Sequence, residues 1–189
     1  MSELPTRWWI VGSSGAGKTT YARAVATVVG APHLELDALY HQPGWTPLER
    51  EEFRARVGDV VAAAAWVIDG NYGDVRDVVR SRAQIIVALD LPRATVMRQL
   101  VARTWRRGWR REELWNGNRE RLGNFLRWDP ERSVLRWSWT QYHATRDKMR
   151  DLELWSHDRG VTFVRVRSHD DAHRALASLA GVDATCFLG

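Results

Sequence analysis

The sequence predicts an α/β fold in which a five-stranded parallel sheet is covered by helices on both faces. Short apolar runs alternate with helix-like segments, and apolar strands bounded by turns are typical of a parallel sheet that is buried on both sides. The chain has 189 residues, of which 44% are hydrophobic, and this suits one domain with a sizeable core. We therefore expect residues 1–189 to form a single domain.

The predicted elements alternate between strand and helix. The strands are residues 8–11, 33–37, 66–69, 85–89 and 161–166. The helices are residues 20–29, 46–64, a short segment ending at Arg80, 93–107, 134–154 and a last helix capped by Ser168 and Asp171. The second helix is placed at Thr46 because Thr46-Pro47-Leu48-Glu49 has the spacing of a capping box, with proline at the first helical position.

The positive charge is concentrated in one segment. The chain has a formal net charge of +5, but residues 93–150 alone contain 15 Lys and Arg against 6 Asp and Glu. Arginine accounts for 26 of the 28 basic residues, and tryptophans are interleaved with arginines between residues 103 and 128. Planar cations beside aromatic rings suit phosphate and base recognition, so nucleotide and nucleic acid both stay open as partners.

The composition excludes several classes of protein. Cys186 is the only cysteine, so no disulfide can form within the chain. The longest apolar run, residues 60–68, is about half as long as a membrane-spanning helix. Only eleven residues precede the first functional motif, which leaves little room for a signal peptide. These observations predict a cytoplasmic protein with no membrane segment.

The strongest motif is Gly12-Ser13-Ser14-Gly15-Ala16-Gly17-Lys18-Thr19, which has the spacing of a phosphate-binding loop between a strand and a helix. Its glycines let successive backbone N–H groups point at a phosphate, and the helix adds its positive N-terminal end. Lys18 is predicted to reach the β- and γ-phosphates of ATP, and the Thr19 hydroxyl to ligate Mg²⁺. The predicted cofactor-binding residues of the loop and the helix start are Gly12, Ser13, Ser14, Gly15, Ala16, Gly17, Lys18, Thr19 and Thr20.

Three predicted strands end in a carboxylate, at Asp37, Asp69 and Asp90. In an open α/β sheet the ligand crevice lies at the carboxyl ends of the strands, so these acids are placed to handle magnesium and a substrate hydroxyl. We interpret Asp37 and Asp69 as functional. Asp90 precedes Leu91-Pro92 and is interpreted as structural, as a cap of the next helix.

The motifs together resemble a known family. The phosphate loop, then Leu36-Asp37-Ala38-Leu39-Tyr40, Ile68-Asp69-Gly70-Asn71-Tyr72 and Leu89-Asp90-Leu91-Pro92-Arg93 resemble the adenylate-kinase-like P-loop proteins called topology-modulation proteins. Glu113-Leu114-Trp115-Asn116-Gly117-Asn118-Arg119-Glu120 resembles one branch of that group. The resemblance implies a three-layer sandwich with strand order 2-3-1-4-5, a substrate-binding segment over about residues 38–64 and an arginine-rich helical lid over about residues 103–136.

The resemblance also implies roles for individual residues. Asp69 would help to hold the magnesium shell, as in adenylate kinases. Asn71-Tyr72 stands where those enzymes have phenylalanine-proline-arginine, which puts an AMP acceptor in doubt. Glu35 and Asp37, two apart on one predicted strand, resemble the paired acids of shikimate-type kinases, in which Asp37 would orient or deprotonate the substrate hydroxyl. Arg103 would contact the transferring phosphate from the lid.

The remaining candidate residues are expected to lie beside the substrate or beside the adenine of ATP. Arg76 or Arg80 would replace the missing acceptor arginine, and Arg167 would lie near the adenine. The full set of predicted substrate-binding residues is Glu35, Tyr40, Asn71, Tyr72, Arg76, Arg80, Trp115, Asn118 and Arg119.

The first functional hypothesis is an ATP- and Mg²⁺-dependent phosphotransferase that acts on a hydroxyl or phosphate acceptor. The alternative is a nucleotide-gated nucleic-acid-binding ATPase that affects DNA topology and uses the arginine-rich segment. A plain regulatory ATPase is a third possibility. The sequence leaves the identity of the acceptor, a nucleotide or a small molecule, and the oligomeric state open.

Overall fold

The computed structural model describes residues 5–110, 113–118 and 134–180. The strands are β1 (Arg7–Gly12), β2 (His33–Glu35), β3 (His41–Gln42), β4 (Thr46–Pro47), β5 (Trp66–Asp69), β6 (Ile85–Leu89) and β7 (Thr162–Val166). The helices are α1 (Lys18–Val29), α2 (Leu36–Tyr40), α3 (Arg50–Ala62), α4 (Arg76–Arg80), α5 (Arg93–Arg110), α6 (Val134–His157) and α7 (His169–Ala180).

Five of the strands form one parallel sheet in the order β2-β5-β1-β6-β7. The short strands β3 and β4 pair antiparallel with each other. They lie between β2 and β5 along the chain, so the third strand of the large sheet is numbered β5. Among the five strands of the large sheet the order is 2-3-1-4-5. The predicted α/β fold class, with its five-stranded parallel sheet, is confirmed.

The sheet separates two hydrophobic cores, because successive side chains of a strand point to opposite faces. Trp8 and Ile10 of β1 face the core that also contains residues of α1 and α7. Trp9 and Val11 face the other core, which is filled from α3, α4 and α6. Trp66 of β5 is fully buried, as are Trp8 and Trp9, so all three tryptophans belong to the core.

The second strand is shorter than predicted. Residues 33–37 were expected to be extended, but β2 ends at Glu35 and Asp37 lies in the first turn of α2. The reason is that Glu35 stands opposite Asp69, the last residue of β5, and the chain turns away at Gly70. Beyond Glu35 the edge strand has no pairing partner, and Leu36 turns into the core against Gly70. Glu35 and Asp37 therefore do not share one face of a strand.

The predicted capping box at Thr46 is wrong. Gly44 and Trp45 have φ values of 72° and 63° and close a tight turn, after which Thr46 pairs with Gln42 in the β3–β4 hairpin. The third helix begins only at Arg50, with two acidic residues in its first turn, where negative charge favours a helix.

Two further predictions about helix ends have different outcomes. Helix α5 continues to Arg110, three residues past its predicted end. The cap of the last helix is confirmed: Ser168 Oγ accepts the N–H of Asp171 at 3.0 Å, and Asp171 Oδ2 accepts the N–H of Arg167 at 3.2 Å.

Asp90 has a structural role, although not the predicted one of a helix cap. It is buried, and its carboxylate lies 2.8 Å from Arg146 Nε and 2.8 Å from Arg165 Nη1. Its backbone N–H also donates to the Val166 carbonyl at 2.8 Å. Asp90 thus joins β6 to β7 and α6.

No helix within the described residues is long and apolar enough to cross a membrane.

Candidate functional site

The predicted phosphate loop, residues 12–19, joins the carboxyl end of β1 to α1. Gly15 and Gly17 have φ values of 89° and 88°, in the left-handed region that favours glycine. A Cβ at Gly15 would lie 2.9 Å from both Leu100 Cβ and the Val96 carbonyl oxygen, so only glycine lets α5 pack this closely. No described side chain caps the start of α1, and its first N–H groups can therefore bind an anion.

The loop is closed on itself through the carbonyl of Ser13. This oxygen accepts the N–H of Ala16 at 3.1 Å and the ammonium of Lys18 at 3.2 Å. Ser13 and Ala16 are buried, Ser14 is half-buried, and Thr20 is exposed in the first turn of α1. Lys18 therefore folds back over the loop, in the position from which it would reach a bound phosphate.

Lys18 is the electrostatic centre of the site. Burial lowers its pKa below the ordinary value of 10.5, and Arg103 acts in the same direction. Asp37, Asp69 and Glu35 oppose this shift because they attract the ammonium, Asp37 most strongly. Asp37 of α2 and Arg103 of α5, the other two predicted catalytic residues, thus both act on the charge of Lys18.

Lys18→Met is expected to remove a pH-dependent part of the stability of the nucleotide-free protein. Because the pKa of Lys18 is lowered in the folded chain, the unfolded chain binds more protons between that lowered pKa and about 10.5. The free energy of unfolding of the wild type should rise with pH through this window relative to the variant. Urea unfolding of both proteins at several pH values measures the difference.

The exposed Lys148, the other lysine of the chain, supplies the control Lys148→Met. Lys148→Met is expected to change the free energy of unfolding by the same amount at every pH. If Lys18→Met also changed it by the same amount at every pH, burial of the Lys18 ammonium would not affect the pH dependence of stability.

The predicted metal ligands, Thr19 and Asp69, lie beside Glu35 and His33 of β2. The Thr19 hydroxyl donates to Glu35 Oε1 at 3.0 Å, and Arg23 lies 3.7 Å from the other oxygen of Glu35. Asp69 is 2% exposed and its Oδ2 lies 3.3 Å from His33 Nε2. The sequence analysis assigned no role to His33, although its position two residues before Glu35 places it on the same face of β2.

The oxygen donors of Thr19, Glu35 and Asp69 suit Mg²⁺, which prefers oxygen ligands. Within the described residues, no three His, Cys, Asp or Glu side chains form a group that could hold a metal by themselves. The donor set therefore fits a magnesium ion that is shared with the oxygens of a nucleotide, which is the usual arrangement for Mg²⁺ at phosphate sites.

Asp37 is held by Tyr72, from the loop after β5. The Tyr72 hydroxyl donates to Asp37 Oδ1 at 2.7 Å and lies 3.4 Å from His41 Nε2. Burial, and then Asp37, raises the pKa of Tyr72 far above its ordinary value, so the phenol keeps its proton. Burial lowers the pKa of His41, although Asp37 acts in the opposite direction. The lowered pKa favours a neutral imidazole.

An aromatic cluster continues from this pair towards the surface. Tyr40 packs against Tyr72 with ring centroids 4.7 Å apart, and His41 stacks on Trp115 at 6.0 Å. The members of the cluster are Tyr40, His41, Trp45, Phe53, Tyr72 and Trp115. Trp45 is 40% exposed and stands at the rim. None of His41, Trp45 and Phe53 was predicted as a site residue. The hairpin that brings His41 and Trp45 to the cluster was not predicted, and Phe53 comes from α3.

Residues 115–118 bind the hairpin rather than standing free. Asn116 Nδ2 donates to the carbonyls of Ala38 and His41 at 3.1 and 2.6 Å. Asn118 is buried, donates to the Gln42 carbonyl at 3.0 Å and accepts the N–H of Trp45 at 3.0 Å. The predicted substrate-binding segment and this part of the predicted lid are thus joined directly. Arg119 lies outside the described residues.

The other predicted arginines are more widely spread. Arg76 lines a small cavity together with Asn71, Trp9 and Lys148. Arg80 lies over the ring of Trp155, 5.3 Å from its centroid. Arg167 is exposed at the end of β7.

Comparison with solved structures places the fold. A gluconokinase from Sinorhizobium meliloti 1021 matches with a TM-score of 0.50 and 22% identity, over 95% of each chain. Shikimate kinase from Bacteroides thetaiotaomicron matches with a TM-score of 0.52 and 14% identity, over 93% of this chain and 97% of the other. The fold is that of the P-loop kinases. No protein-family model and no curated protein matches the chain.

Proposed function

We propose that the protein is an ATP- and Mg²⁺-dependent phosphotransferase that moves the γ-phosphate to a hydroxyl of a small-molecule or nucleotide acceptor. The observation that carries this proposal is an acid beside the phosphate loop: Asp37 is held by the Tyr72 hydroxyl at 2.7 Å and attracts the ammonium of Lys18. A phosphate loop needs no acid such as Asp37 to bind ATP. An acid held beside the loop is suited to orienting an acceptor hydroxyl or accepting its proton.

Each part of the site would have its own role in phosphate transfer. The loop N–H groups and Lys18 would hold the phosphates, and Thr19 and Asp69 would hold Mg²⁺, which supplies charge neutralisation at the transferring group. Asp37 would face the acceptor, and Arg103 would stabilise the charge of the transferring phosphate. Residues 38–64 would form the acceptor side. The lid, predicted over about residues 103–136, is described only at 103–110, 113–118 and 134–136, and the rest of it lies outside the described residues.

The family assignment to the topology-modulation proteins rests on the sequence motifs. The kinase folds that match the chain support the phosphotransferase chemistry implied by the same motifs.

The decisive experiment is an ADP-release screen with Mg²⁺ and ATP over nucleotides, sugars and other small alcohols. The Lys18→Ala variant serves as the blank. Acceptor-stimulated ADP release by the wild type alone would identify the acceptor class. ADP release that no acceptor stimulates would instead favour a plain ATPase.

Two exposed tryptophans favour nucleic-acid binding as a second candidate function. Trp105 and Trp109, four residues apart on α5, are 62% and 76% exposed. Helix α5 also contains six arginines and no acidic residue. Aromatic rings beside cations are the usual means of gripping single strands without sequence preference.

If this second function is present, the affinity for single-stranded DNA should fall steeply with added salt, because several phosphate contacts release counterions. Trp105→Ala should weaken binding by about tenfold, since base stacking contributes about 1–3 kcal/mol. Fluorescence titration measures both effects. Trp139→Ala, which removes a 53% exposed tryptophan of α6, is the matched control, and equal losses in both variants would exclude stacking on α5.

A further inference from the structure

The two residues after Asp69-Gly70 occupy the point where β5 leaves the sheet beside the phosphate loop. Asp69 is the last residue of β5 to pair with β1, opposite Ile10. The N–H of Gly70 then donates to the Ile10 carbonyl at 3.2 Å, and the chain turns away with a φ of 134° at Gly70. A Cβ at Gly70 would lie 2.8 Å from Leu36 Cβ, so this turn requires glycine. Beyond Ile10, β1 therefore loses its neighbour on this side.

The side chain of Asn71 takes the place of the missing strand. Its Oδ1 accepts the N–H of Gly12 at 3.1 Å, and its Nδ2 donates to the carbonyl of Gly12 at 2.6 Å. A primary amide has one acceptor and one donor side by side, as a peptide group does, and a carboxylate of the same size has no donor. The amide thus extends the sheet hydrogen bonding by one residue, and that residue is the first of the phosphate loop.

Tyr72, the next residue, holds Asp37 on the acceptor side. Its hydroxyl donates to Asp37 Oδ1 at 2.7 Å. Its ring is fixed between Tyr40 and Phe53, with centroid distances of 4.7 and 5.3 Å. The backbone just before Asn71 and Tyr72 is held by β1, because Trp9 Nε1 donates to the Gly70 carbonyl at 3.0 Å.

We propose that Asn71 and Tyr72 are positioning residues that together set the distance between the nucleotide and the acceptor. Asn71 fixes the start of the phosphate loop and Tyr72 fixes Asp37, and a single peptide bond joins them. This proposal rests on the proposed function for its catalytic part. It replaces the expectation from the sequence that both side chains touch the substrate.

The test of Asn71 needs no acceptor. Asn71→Asp keeps the size and the acceptor but places an oxygen against the Gly12 carbonyl, and Asn71→Leu removes both hydrogen bonds. Leaving such backbone groups without partners is expected to weaken Mg²⁺–ATP binding by about tenfold or more, as measured by calorimetry, and to speed amide exchange at Gly12 by a similar factor. Either variant suffices if the other does not fold.

Gln84 supplies the matched control, because its side chain binds the opposite end of the same strand. Its Oε1 accepts the N–H groups of Thr6 and Arg7 at 2.9 and 3.1 Å. Gln84→Glu keeps an oxygen acceptor for both N–H groups and matches the charge change of Asn71→Asp, whereas Gln84→Leu removes both hydrogen bonds and weakens the strand end. Both variants should leave the dissociation constant for ATP within about twofold. Unchanged ATP affinity in a folded Asn71 variant, or an equal loss in the Gln84 variants, would overturn the role of Asn71.

The test of Tyr72 separates turnover from binding. Tyr72→Phe keeps the ring packing and should lower kcat for acceptor phosphorylation by about tenfold, with the ATP affinity unchanged. Tyr142→Phe, which removes a buried hydroxyl bound to the Leu91 carbonyl at 3.0 Å, is the control and should retain kcat. An unchanged kcat in Tyr72→Phe would overturn its role.

The two proposals can fail separately. If the wild type binds ATP and phosphorylates no acceptor, the proposed function fails, but the ATP affinity and the Gly12 exchange of the Asn71 variants still decide the role of that residue.

Discussion

Replacing Lys18 with alanine is expected to lower phosphate transfer by about 10²–10³-fold or more, the loss seen when one stabilising donor is removed from a transition state. The structure gives the reason. The ammonium of Lys18 donates to the Ser13 carbonyl of the loop, and its charge interacts with Asp37 and Arg103. The rate of ADP release with the best acceptor measures the effect.

Binding of ATP provides an independent measure of the same substitution. At an ATP concentration of 100 times Kd, the wild type should gain about 2.7 kcal/mol of stability, which appears as a higher Tm. Lys18→Ala should lose most of this gain. Lys148→Ala, at the exposed second lysine, should keep it. Full transfer activity in Lys18→Ala would contradict the mechanism.

Asp37→Asn is expected to lower transfer by about 10²–10⁴-fold, the usual contribution of a positioned acid or base, and to leave ATP binding nearly unchanged. The amide keeps the size of the side chain and an oxygen for the Tyr72 hydroxyl, but it cannot accept a proton from the acceptor. The separate measurement of kcat and of the dissociation constant for ATP distinguishes the two effects.

The control for Asp37→Asn is Asp59→Asn, at an exposed position of α3. It removes one negative charge without touching the site. A loss of ATP affinity as large as the loss of kcat would assign Asp37 to the nucleotide rather than to the acceptor.

The fold could be predicted because its signals are local. The three central strands β1, β5 and β6 are short, mainly apolar runs, and burial on both faces of a parallel sheet imposes that composition. The phosphate loop was predicted for a similar reason, since Gly15 and Gly17 adopt backbone conformations that favour glycine and follow one another within a few residues.

The surroundings of Asp37 could not be predicted in the same way. The sequence placed this acid at a strand end, where a paired acid on the same strand was expected. In the structure β2 stops at Glu35, because the neighbouring β5 has ended, and Asp37 moves onto α2. The length of an edge strand depends on its partner, which no window of sequence around Asp37 contains.

The hairpin and the 115–118 segment show the same limit of local signals. Thr46-Pro47-Leu48-Glu49 has the spacing of a helix start, yet Thr46 pairs with Gln42 and the backbone of the hairpin binds Asn116 and Asn118. These hydrogen bonds span about seventy residues of chain, so a local propensity was overruled by distant partners.

The sequence by itself determined the parallel sheet, the phosphate loop and the presence of acids at the carboxyl edge. Strand burial and glycine turns produce patterns among neighbouring residues, which can be recognised without the fold. Only the tertiary structure decided that Asn71 completes the hydrogen bonding of Gly12 and that Tyr72 holds Asp37. An amide and a phenol have many possible partners, and which one each binds depends on where β5 leaves the sheet.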